Sequence, residues 1–522
     1  MEHLYIITID VGTSSTKTAL WDETGRLVAE TWQTYSLNRP DPLWAEIDGN
    51  VWWEAVCATI RQVIAKGGID PRQVAGIGVD GVGWTLLPVN VNHEPLYPAM
   101  IWLDRRAEQE TDWLKALPEA EKLVRLVANP LDPAYITPKL LWLKKHQPAI
   151  FDTADKFLTS SGFIVARLSG ESTCDYTQAY GYHFFDICRE RWDPWAAELI
   201  GIPLDKMPRL CACTEIAGTV TAQAAALTDL PTGVPVIVGC LDAASGALGA
   251  GVTRLGQTNE QGGQAGGMAI SLNHVVVEPR LIFSHHVLPG QYILQAGTVG
   301  GGSLGWFRDV LGQVEASAGD LIAKSPFELF SLQVEKTPPG AHGLIFVPYM
   351  AGERTPLWNS NARGVFFGLS YKTTRGDMLR AIMEGCAFAV YDNLRIAEQK
   401  GVTVQECLGS GGATQSAVWC QIKADVYNRP FIVARRNDGG EGGHTLGLYA
   451  MTAHAAGLCD DMGQCVERLL PNRQVFHPSP ERHAMYKDLF RVYLDVSRRL
   501  LEDFDRLASI TQKYALAGQV HY

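Results

Sequence analysis

Two features that would give the chain a membrane or nucleic-acid role are missing from its sequence. The most apolar long stretch, VPVIVGCLDAASGALGAGV, carries Asp242 and several glycines, so it is shorter and more polar than a membrane span. Lys and Arg form no block, and the formal net charge of −11 argues against nucleic-acid and anionic-membrane partners. The opening MEHLYIITID has neither a basic region nor a cleavage site, so we predict no signal peptide and a cytoplasmic protein.

The cysteines lack the spacing of a zinc site or a disulfide framework. There are 11 of them, scattered from Cys57 to Cys465, and the closest pair is Cys211-Ala-Cys213. That pair lacks the two-residue spacing of zinc knuckles, and no second His motif accompanies it. We therefore predict reduced structural thiols, as in a cytosolic protein.

The first glycine-bearing loop lacks the defining feature of a nucleotide-binding P-loop. In IITIDVGTSSTKTALWDETG, residues 6–25, the position directly before Lys17 is not a glycine, and a second strand follows the loop instead of a helix. We predict a hairpin tip whose N–H groups and hydroxyls cradle phosphate, with an ordinary polar hairpin as the alternative. The phosphate-binding candidates are Asp10 (also a ligand for Mg²⁺ through water), Gly12, Thr13, Ser14, Ser15 and Lys17.

What is present is the pattern of a multi-domain α/β protein. The 522 residues, 46% hydrophobic and 19% charged, are enough for two or three domains. Strand and helix patterns alternate, and near Gly256 the stretch GQTNEQGGQAGGMAISLN repeats the opening order of strand, Gly-rich turn and strand. This repeat predicts two related α/β domains, 1–254 and 255–457, with a cleft between them.

Beyond residue 457 the pattern becomes helical. One apolar stripe between charges comprises Leu489, Val492, Tyr493, Val496, Leu500 and Phe504. We predict that helices within 458–522 pack on the second domain, with a partner-binding helix as the alternative. Residues 510–522 are weakly patterned and are interpreted as a tail or an oligomer contact, which leaves a homodimer open.

Two further stretches have residue types that phosphoryl transfer needs. Asp242 follows the apolar strand PVIVGCL, at the strand end where ligand crevices open, although an N-cap for the following helix explains it equally well. In LGSGGATQSAVWCQIKADVYNRPFIV, a turn with Gly409, Gly411 and Gly412 precedes a helix over 416–427. Such a turn would form a backbone platform under a flat base.

An aromatic and polar set in GVDGVGWTLLPVN and MIWLDRRAEQE is typical of sugar binding. The set comprises Asp80, Trp84, Trp102, Asp104 and Arg105. Because the chain has 14 tryptophans, most of which must lie in the core, core packing is the alternative for Trp84 and Trp102.

Taken in order, these stretches resemble the motifs of the FGGY carbohydrate kinases, from Tyr5 to about Gly457. DVGTSSTKTALWDETG resembles the family's first phosphate loop, and GCLDAASGALGAG resembles its catalytic-aspartate segment. NPLDPAYITPKLLWLKKHQP resembles the stretch that lines the sugar side in glycerol and xylulose kinases. VPYMAGERTPLWNSNARGVFFGLS, with RAIMEGCAF, is similar to the central signature of the C-terminal domain, and GGATQSAVWCQIKADVYNRPF to the adenosine-side signature.

The resemblance implies a fold, a reaction and a set of site residues. The fold would be α/β, with two actin- and hexokinase-like (ribonuclease H-like) domains around an active-site cleft that closes on ATP and a sugar. Asp242 would be the catalytic base that takes the proton of the attacking sugar hydroxyl, and Asp10 and Asp242 would lie at Mg²⁺. The nucleotide side would add Gly263, Gln264, Gly301, Gly411, Gly412 and Ser416 to the first loop. The sugar side would comprise Asp80, Gly81, Val82, Trp84, Asp104, Tyr135 and Asp242.

The sequence departs from the family pattern in two places. Where the second phosphate loop usually has Gly-Thr-Ser or Gly-Thr-Thr, this chain has Gly263-Gln264-Ala265-Gly266, so backbone N–H groups and the Gln264 amide are left to bind phosphate. Where xylulose kinases have Met-His-Gly, it has Gly81-Val82-Gly83, and Ala243 replaces the Asn that often follows the catalytic Asp. We therefore expect a pentulose or a related ketose or polyol, with D-xylulose itself not favoured.

Two other functional classes are alternatives to the kinase. A nucleotide- or sugar-binding regulator without efficient transfer is favoured by the altered Gln264 loop but opposed by Asp10, Lys17 and Asp242, which such a relic would not need. A nicotinamide-dependent oxidoreductase would need Gly-x-Gly-x-x-Gly between a strand and a helix, which GGGSLG at 300–305 matches poorly. The sequence therefore predicts an ATP-dependent sugar kinase.

Overall fold

The computed structural model describes residues 3–514, which group into two compact units. The first unit comprises 3–255, 271–293 and 435–471, and the second comprises 256–270, 294–434 and 472–514. Residues 271–293 and 435–457 lie in the contiguous second domain expected over 255–457, but in the structure they pack with the first unit. The end of the predicted tail, 515–522, lies outside the described residues.

The strands are numbered in chain order. Those up to residue 255 are β1 (Tyr5–Val11), β2 (Ser15–Asp22), β3 (Leu27–Thr34), β4 (Glu46–Ile47), β5 (Val74–Gly81), β6 (Leu87–Val89), β7 (Ala99–Met100), β8 (Lys156–Leu158), β9 (Thr173–Asp175), β10 (Phe185–Asp186), β11 (Arg191–Trp192), β12 (Arg209–Cys211), β13 (Ile216–Thr219), β14 (Pro235–Ile237) and β15 (Cys240–Leu241). The later strands are β16 (Gln257–Gly262), β17 (Ala265–Leu272), β18 (Ile282–His285), β19 (Tyr292–Val299), β20 (Ile345–Val347), β21 (Val365–Phe367), β22 (Glu406–Ser410), β23 (Phe431–Arg435) and β24 (Asn472–Phe476).

The α-helices are numbered in the same way. Those up to residue 255 are α1 (Gly49–Gly67), α2 (Glu108–Ala116), α3 (Ala120–Val127), α4 (Ile136–His146), α5 (Pro148–Thr153), α6 (Ser160–Ser169), α7 (Tyr176–Ala179), α8 (Pro194–Ile200), α9 (Ala222–Thr228) and α10 (Asp242–Gly249). The later helices are α11 (Gly302–Leu311), α12 (Gln313–Ile322), α13 (Pro326–Lys336), α14 (Arg375–Gln399), α15 (Ala417–Tyr427), α16 (His444–Ala455), α17 (Met462–Leu469), α18 (Pro480–Arg499) and α19 (Leu501–Lys513).

The first unit is built on a sheet with the strand order β13-β14-β5-β1-β2-β3, in which β15 also pairs with β5. β1 and β2 form the predicted antiparallel hairpin, with Asp10 opposite Lys17. β5 is parallel to β1 and places Asp80 opposite Asp10, and β15 is parallel to β5 and places Cys240 opposite Asp80. The carboxyl ends of three parallel strands thus meet at one edge, where α/β sheets form ligand sites.

The core of this unit follows from the apolar spacing of its elements. In α1 the residues Trp52, Val56, Ile60 and Val63 lie on one face, and all are buried against the sheet, as their helical spacing predicts. Alternate residues of β1 pack against the same cluster. Burial of side chains of this size contributes about 1.5–3 kcal/mol each, so this layer fixes the sheet whose edge carries the carboxylates.

The second unit repeats the arrangement of the first. Its neighbouring strands run in the order β19-β17-β16-β22-β23-β24. β16 and β17 form an antiparallel hairpin, and β22 is parallel to β16, as β5 is to β1. The structure therefore confirms the predicted strand–turn–strand repeat after Gly256.

Helix α18 packs on α14 and α15 of the second unit, as predicted, and its buried face matches the predicted stripe in part. Tyr486, Phe490 and Tyr493 are buried, whereas Val492 is 41% exposed. The prediction for Val492 was wrong because Phe388 of α14 contacts three aromatic rings of α18, and this contact selects the aromatic face.

The helices and the cysteines of the described chain bear on membrane spanning and on the state of the thiols. Among residues 3–514, no helix combines the length and the apolar character that crossing a membrane requires. In the same range none of the eleven cysteines forms a disulfide, and most are buried.

The chain returns to the first unit through α16, which packs on β1, β5 and α10. The contact between α10 and α16 is close because small residues face each other. A Cβ atom on Gly447 of α16 would lie 2.0 Å from the carbonyl oxygen of Ser245 in α10. The small residues of α10 and α16 thus allow the two helices to approach each other closely.

Gly447→Ala is expected to destabilise the first unit by about 1–3 kcal/mol, because the added methyl overlaps a backbone atom that cannot move alone. Urea unfolding should show a lower midpoint. The matched control is Gly305→Ala in α11, where no atom lies within 4 Å of the added Cβ; it should leave stability unchanged or raise it by up to about 1 kcal/mol. A Gly447→Ala protein as stable as the Gly305→Ala control would contradict the close-packing argument.

Candidate active site

Three side chains of the first unit converge at the carboxyl edge of β1 and β5. Ligand atoms of Asp10, Asp80 and His444 all lie within 4.8 Å of one another. Asp80 is fully buried, and the side chains of Asp10 and His444 are 21% and 38% exposed. His444 is the first residue of α16, and its Nδ1 lies 3.5 Å from Oδ2 of Asp10.

The three groups have opposed pKa shifts. Burial and the charge of Asp10 raise the pKa of Asp80 well above its ordinary value. Burial opposes charge on the other two, but the contact between them lowers the pKa of Asp10 and raises that of His444 to about 10. One carboxylate is thus ionised beside an imidazolium, as expected when two carboxyl groups share a site.

Asp242 lies beside this cluster, directly after β15. It is the first residue of α10, and its charge contributes to the pKa shifts of both Asp80 and His444. The N–H of Ala243 donates to Oδ1 of Asp242 at 2.6 Å. The hydroxyl of Ser245, one turn on, donates to Asp80 and also lies 2.8 Å from the carbonyl oxygen of Asp242. The start of α10 therefore orients Asp242 and Asp80 together.

A buried network holds the strand that precedes Asp242. The hydroxyl of Thr177 donates to the carboxylate of Asp175 and accepts the N–H of Leu241 at 2.8 Å. The N–H of Gln178 also donates to Asp175, which caps α7. Burial raises the pKa of Asp175 to about 7.

The first loop is closed by its own backbone. The N–H of Gly12 donates to the carbonyl oxygen of Ser15 at 3.0 Å, so this N–H group is not available to a phosphate, contrary to expectation. A Cβ on Gly12 would lie 2.9 Å from that oxygen, so the glycine permits the turn itself. The Tyr35 hydroxyl donates to the carbonyl oxygen of Gly12.

The side chains of the loop remain arranged as donors and charges. The hydroxyl of Thr13 accepts the indole N–H of Trp102 at 3.1 Å, which ties the loop to the predicted sugar side. Ser14 is exposed at the tip. Lys17 is half-exposed and forms an ion pair with Glu30 at 2.8 Å, so part of its charge is already neutralised.

The predicted sugar side is a buried aromatic layer in the first unit. Trp84 stacks on Tyr135 with 4.5 Å between ring centroids, and Tyr180 packs edge-on against both. Trp84 has a φ of 52°, a strained conformation for a bulky residue that is grounds for a functional hypothesis. Nζ of the buried Lys139 donates to the carbonyl oxygens of Trp84 and Ile101, at 2.8 and 2.7 Å.

Other predicted sugar-side residues are engaged in structural contacts. Asp104 is fully buried and accepts from the N–H of Ala45 and the guanidinium of Arg106. Val82 is buried, its carbonyl oxygen accepts the hydroxyl of Ser160, and Gly81 continues the β1–β5 ladder. We therefore interpret Asp104 and Val82 as supports of the layer.

The nucleotide-side candidates of the second unit line one cavity of about 510 Å³, a volume typical of ligand sites. Its lining includes Gly263, Gln264, Gly301, Gly412 and Ser416, and Gly411 lies behind them against Gly262. The N–H groups of Gly301 and Gly302 donate to the carbonyl oxygens of Gly263 and Gln264, which locks the two loops together. Side chains that the sequence did not identify complete the wall, namely Arg308, Phe327, Glu328, Met383 and Trp419.

His444 is the main residue that the sequence failed to identify. It lies 434 positions from Asp10 and follows a glycine-rich segment, GGEGG, that has no helical or strand period. That run of glycines before a helix was the only available signal. Thr177 and Tyr35 were missed for the same reason, since each acts through a backbone atom distant in sequence.

Comparison with known proteins agrees with this arrangement. Residues 5–249 match the model of the N-terminal domain of the FGGY family of carbohydrate kinases, and 274–451 match that of its C-terminal domain. The chain belongs to this family. The match confirms the predicted two-domain α/β fold and the kinase, and favours it over the non-catalytic regulator.

Relatives span nearly the whole chain. The xylulose kinase of Escherichia coli (strain K12) is 29% identical over 498 residues, which are 95% of this chain and 99% of that protein. The crystal structure of ligand-bound xylulose kinase from Lactobacillus acidophilus superposes with a TM-score of 0.87 at 25% identity, covering 96% of this chain and 99% of that one. The crystal structure of gluconate kinase from Lactobacillus acidophilus superposes with a TM-score of 0.86 at 25% identity, covering 97% of this chain and 100% of that one.

Asp175→Asn is expected to change how stability depends on pH. Because the folded-state pKa of Asp175 lies near 7 and the ordinary value is 3.8, the folded protein binds the extra proton between these values and loses stability as pH rises through them. Asn keeps the acceptor oxygen without the charge, so the variant should become more stable than wild type, by up to roughly 4 kcal/mol above pH 7.

Urea unfolding of both proteins between pH 4 and pH 8 measures this difference. The control is Asp48→Asn, the same substitution at an exposed N-cap, that of α1. A constant difference between the Asp175→Asn and wild-type proteins over this range would show that burial does not raise the pKa of Asp175.

Proposed function

We propose that the protein transfers the γ-phosphate of ATP to a hydroxyl of a pentulose or a related ketose or polyol. The observation that carries the proposal is the position of Asp242, at the end of β15 beside the Asp10–Asp80 pair. A positioned carboxylate at a strand end is the base that attack by a sugar hydroxyl needs. The proposal includes a cytoplasmic location.

Each unit supplies one part of the reaction. The first unit supplies the base, the first loop and the aromatic layer around Trp84. The second supplies the cavity of about 510 Å³, whose apolar and aromatic residues Phe327, Met383 and Trp419 suit a nucleotide base. The loops with Gly263 and Gly301 lie at the same cavity and would face the phosphates.

Asp242 accepts the proton of the sugar hydroxyl as that oxygen forms its bond to the γ-phosphorus, while the bond from this phosphorus to the β–γ bridging oxygen breaks and ADP leaves. The Ala243 N–H and the Ser245 hydroxyl hold the start of α10 in place for this step. Asp10 and Asp242 offer the carboxylate oxygens that Mg²⁺ prefers, so the residues present fit this ion. Bound Mg²⁺ would neutralise charge on the transferring phosphoryl group.

The substrate class rests on the relatives and on the aromatic layer. Two of the reported relatives are xylulose kinases and one is a gluconate kinase. Trp84 and Tyr135 form a buried, stacked pair of rings, and an apolar aromatic surface suits the C–H face of a sugar. Pentuloses are therefore placed ahead of sugar acids.

Asp242→Asn is expected to lower sugar-dependent ADP release by two to four orders of magnitude, because a positioned proton acceptor contributes about 10²–10⁴-fold. ATP affinity, measured by calorimetry without Mg²⁺, should stay unchanged, because Asp242 would meet the nucleotide only through the metal. The assay uses pentuloses, other ketoses, aldoses, polyols and gluconate as separate acceptors with Mg²⁺.

The matched control is Asp193→Asn, another aspartate at a helix start, which caps α8 through the N–H of Ala196. It should retain full turnover. Near-normal turnover by Asp242→Asn would remove Asp242 as the base, and silence of the wild-type protein with every acceptor would overturn the kinase proposal.

If the second loop binds phosphate through its backbone N–H groups alone, Gln264→Thr is expected to tighten ATP binding about threefold to tenfold, because the hydroxyl adds one donor to phosphate. Gln264 is exposed at the cavity, so the change should not disturb packing. Calorimetry with ATP measures the change, and adenosine, which lacks phosphate, is the control ligand and should bind unchanged. Equal or weaker ATP affinity would contradict a phosphate contact at this loop.

A further inference from the structure

Asp10, Asp80 and His444 lie close enough together for small side-chain shifts to bring one atom of each to a single ion. For bonds of about 2.1 Å, neighbouring ligand atoms around a tetrahedral or octahedral cation lie about 3.0–3.4 Å apart. Nδ1 of His444 and Oδ2 of Asp10 are 3.5 Å apart, longer than the 2.9–3.0 Å typical of an N–H···O hydrogen bond. All three groups offer an atom within 4.8 Å of the others.

Asp80 gives an independent reason for an ion at this position. It is fully buried, and one of its oxygens accepts the hydroxyl of Ser245. The other, Oδ1, is buried and has no hydrogen-bond donor in the described part of the chain. A buried carboxylate oxygen without a donor is costly unless a cation or a proton meets it. The neighbouring charges of Asp10 and Asp242 add to that need.

We propose that Asp10, Asp80 and His444 form a divalent-cation site that fills without nucleotide and prefers Mn²⁺ to Mg²⁺. Two carboxylates suit both ions, but an imidazole ligand favours the transition metal. The cation would be held by one oxygen of each carboxylate and by the Nδ1 lone pair of the neutral imidazole. The site shares Asp10 with the Mg²⁺–nucleotide site proposed above but needs neither phosphate nor Asp242, so it does not rest on the proposed function.

Direct binding of Mn²⁺ to the metal-stripped, nucleotide-free protein tests the site. The electron paramagnetic resonance signal of free Mn²⁺ should decrease on addition of protein by the amount expected for one bound ion per chain. Mg²⁺ should displace this ion only at concentrations at least about tenfold higher than that of Mn²⁺. Pulsed electron paramagnetic resonance of the bound Mn²⁺ should show coupling to a directly coordinated imidazole nitrogen. A histidine that lies nearby without coordinating the ion would not give this coupling. This last readout needs no variant.

His444→Gln and Asp80→Asn should each weaken Mn²⁺ binding at least about tenfold, and His444→Gln should also abolish the nitrogen coupling. The matched control is His454→Gln on the same helix, where the ring contacts the carbonyl oxygen of Cys459; it should bind Mn²⁺ as wild type does. Circular dichroism and thermal unfolding check that each variant is folded.

The proposal is overturned if wild-type protein without nucleotide binds no Mn²⁺, if the bound ion shows no nitrogen coupling, or if folded His444→Gln binds as tightly as the control. Failure of the kinase assay with Mn²⁺ binding intact would overturn only the proposed function. Failure of Mn²⁺ binding with kinase activity intact would overturn only the cation site.

Discussion

The side-by-side placement of Asp10 and Asp80 is the constraint on which the first unit depends. Parallel pairing of β1 with β5 makes the two carboxylates direct neighbours, and one of them is fully buried. Two carboxyl groups so close resist ionising together, so the pKa of Asp80 is raised and Asp10 carries the charge. His444 compensates the charge of Asp10, and it reaches Asp10 because α16 packs on α10 and on the sheet. The charge balance of this cluster therefore depends on the return of the chain to the first unit.

The same constraint explains why the segment after Asp242 is rich in small residues. Gly246 lies against the ring of His444, and Gly447 of α16 lies against the backbone of Ser245. Larger residues at either position would push α16 away from the sheet edge and separate His444 from Asp10. The small residues of α10 thus allow His444 to come close enough to compensate the charge of Asp10.

The sequence predicted those parts of the site that depend on local order along the chain. Asp10 and Asp242 follow apolar strands, so their places at strand ends could be inferred, and the hairpins at β1–β2 and β16–β17 followed from alternation and glycines. His444, Thr177 and Tyr35 could not be found in this way, because each acts across hundreds or tens of residues through sheet register and helix packing. In the same way, no local signal marks the return of 435–471 to the first compact unit.

The two departures from the family pattern have different physical weight. At Gln264 the lost hydroxyl is on an exposed loop whose backbone is locked to Gly301 and Gly302, so the loop keeps its shape and changes only in the donors it offers. At Gly81-Val82-Gly83 the change is inside the unit: Val82 is buried and Trp84, stacked on Tyr135, occupies the adjoining layer. A buried aromatic layer held by Lys139 cannot rearrange cheaply. Selectivity for the sugar should therefore depend on this layer more than on the exposed loop.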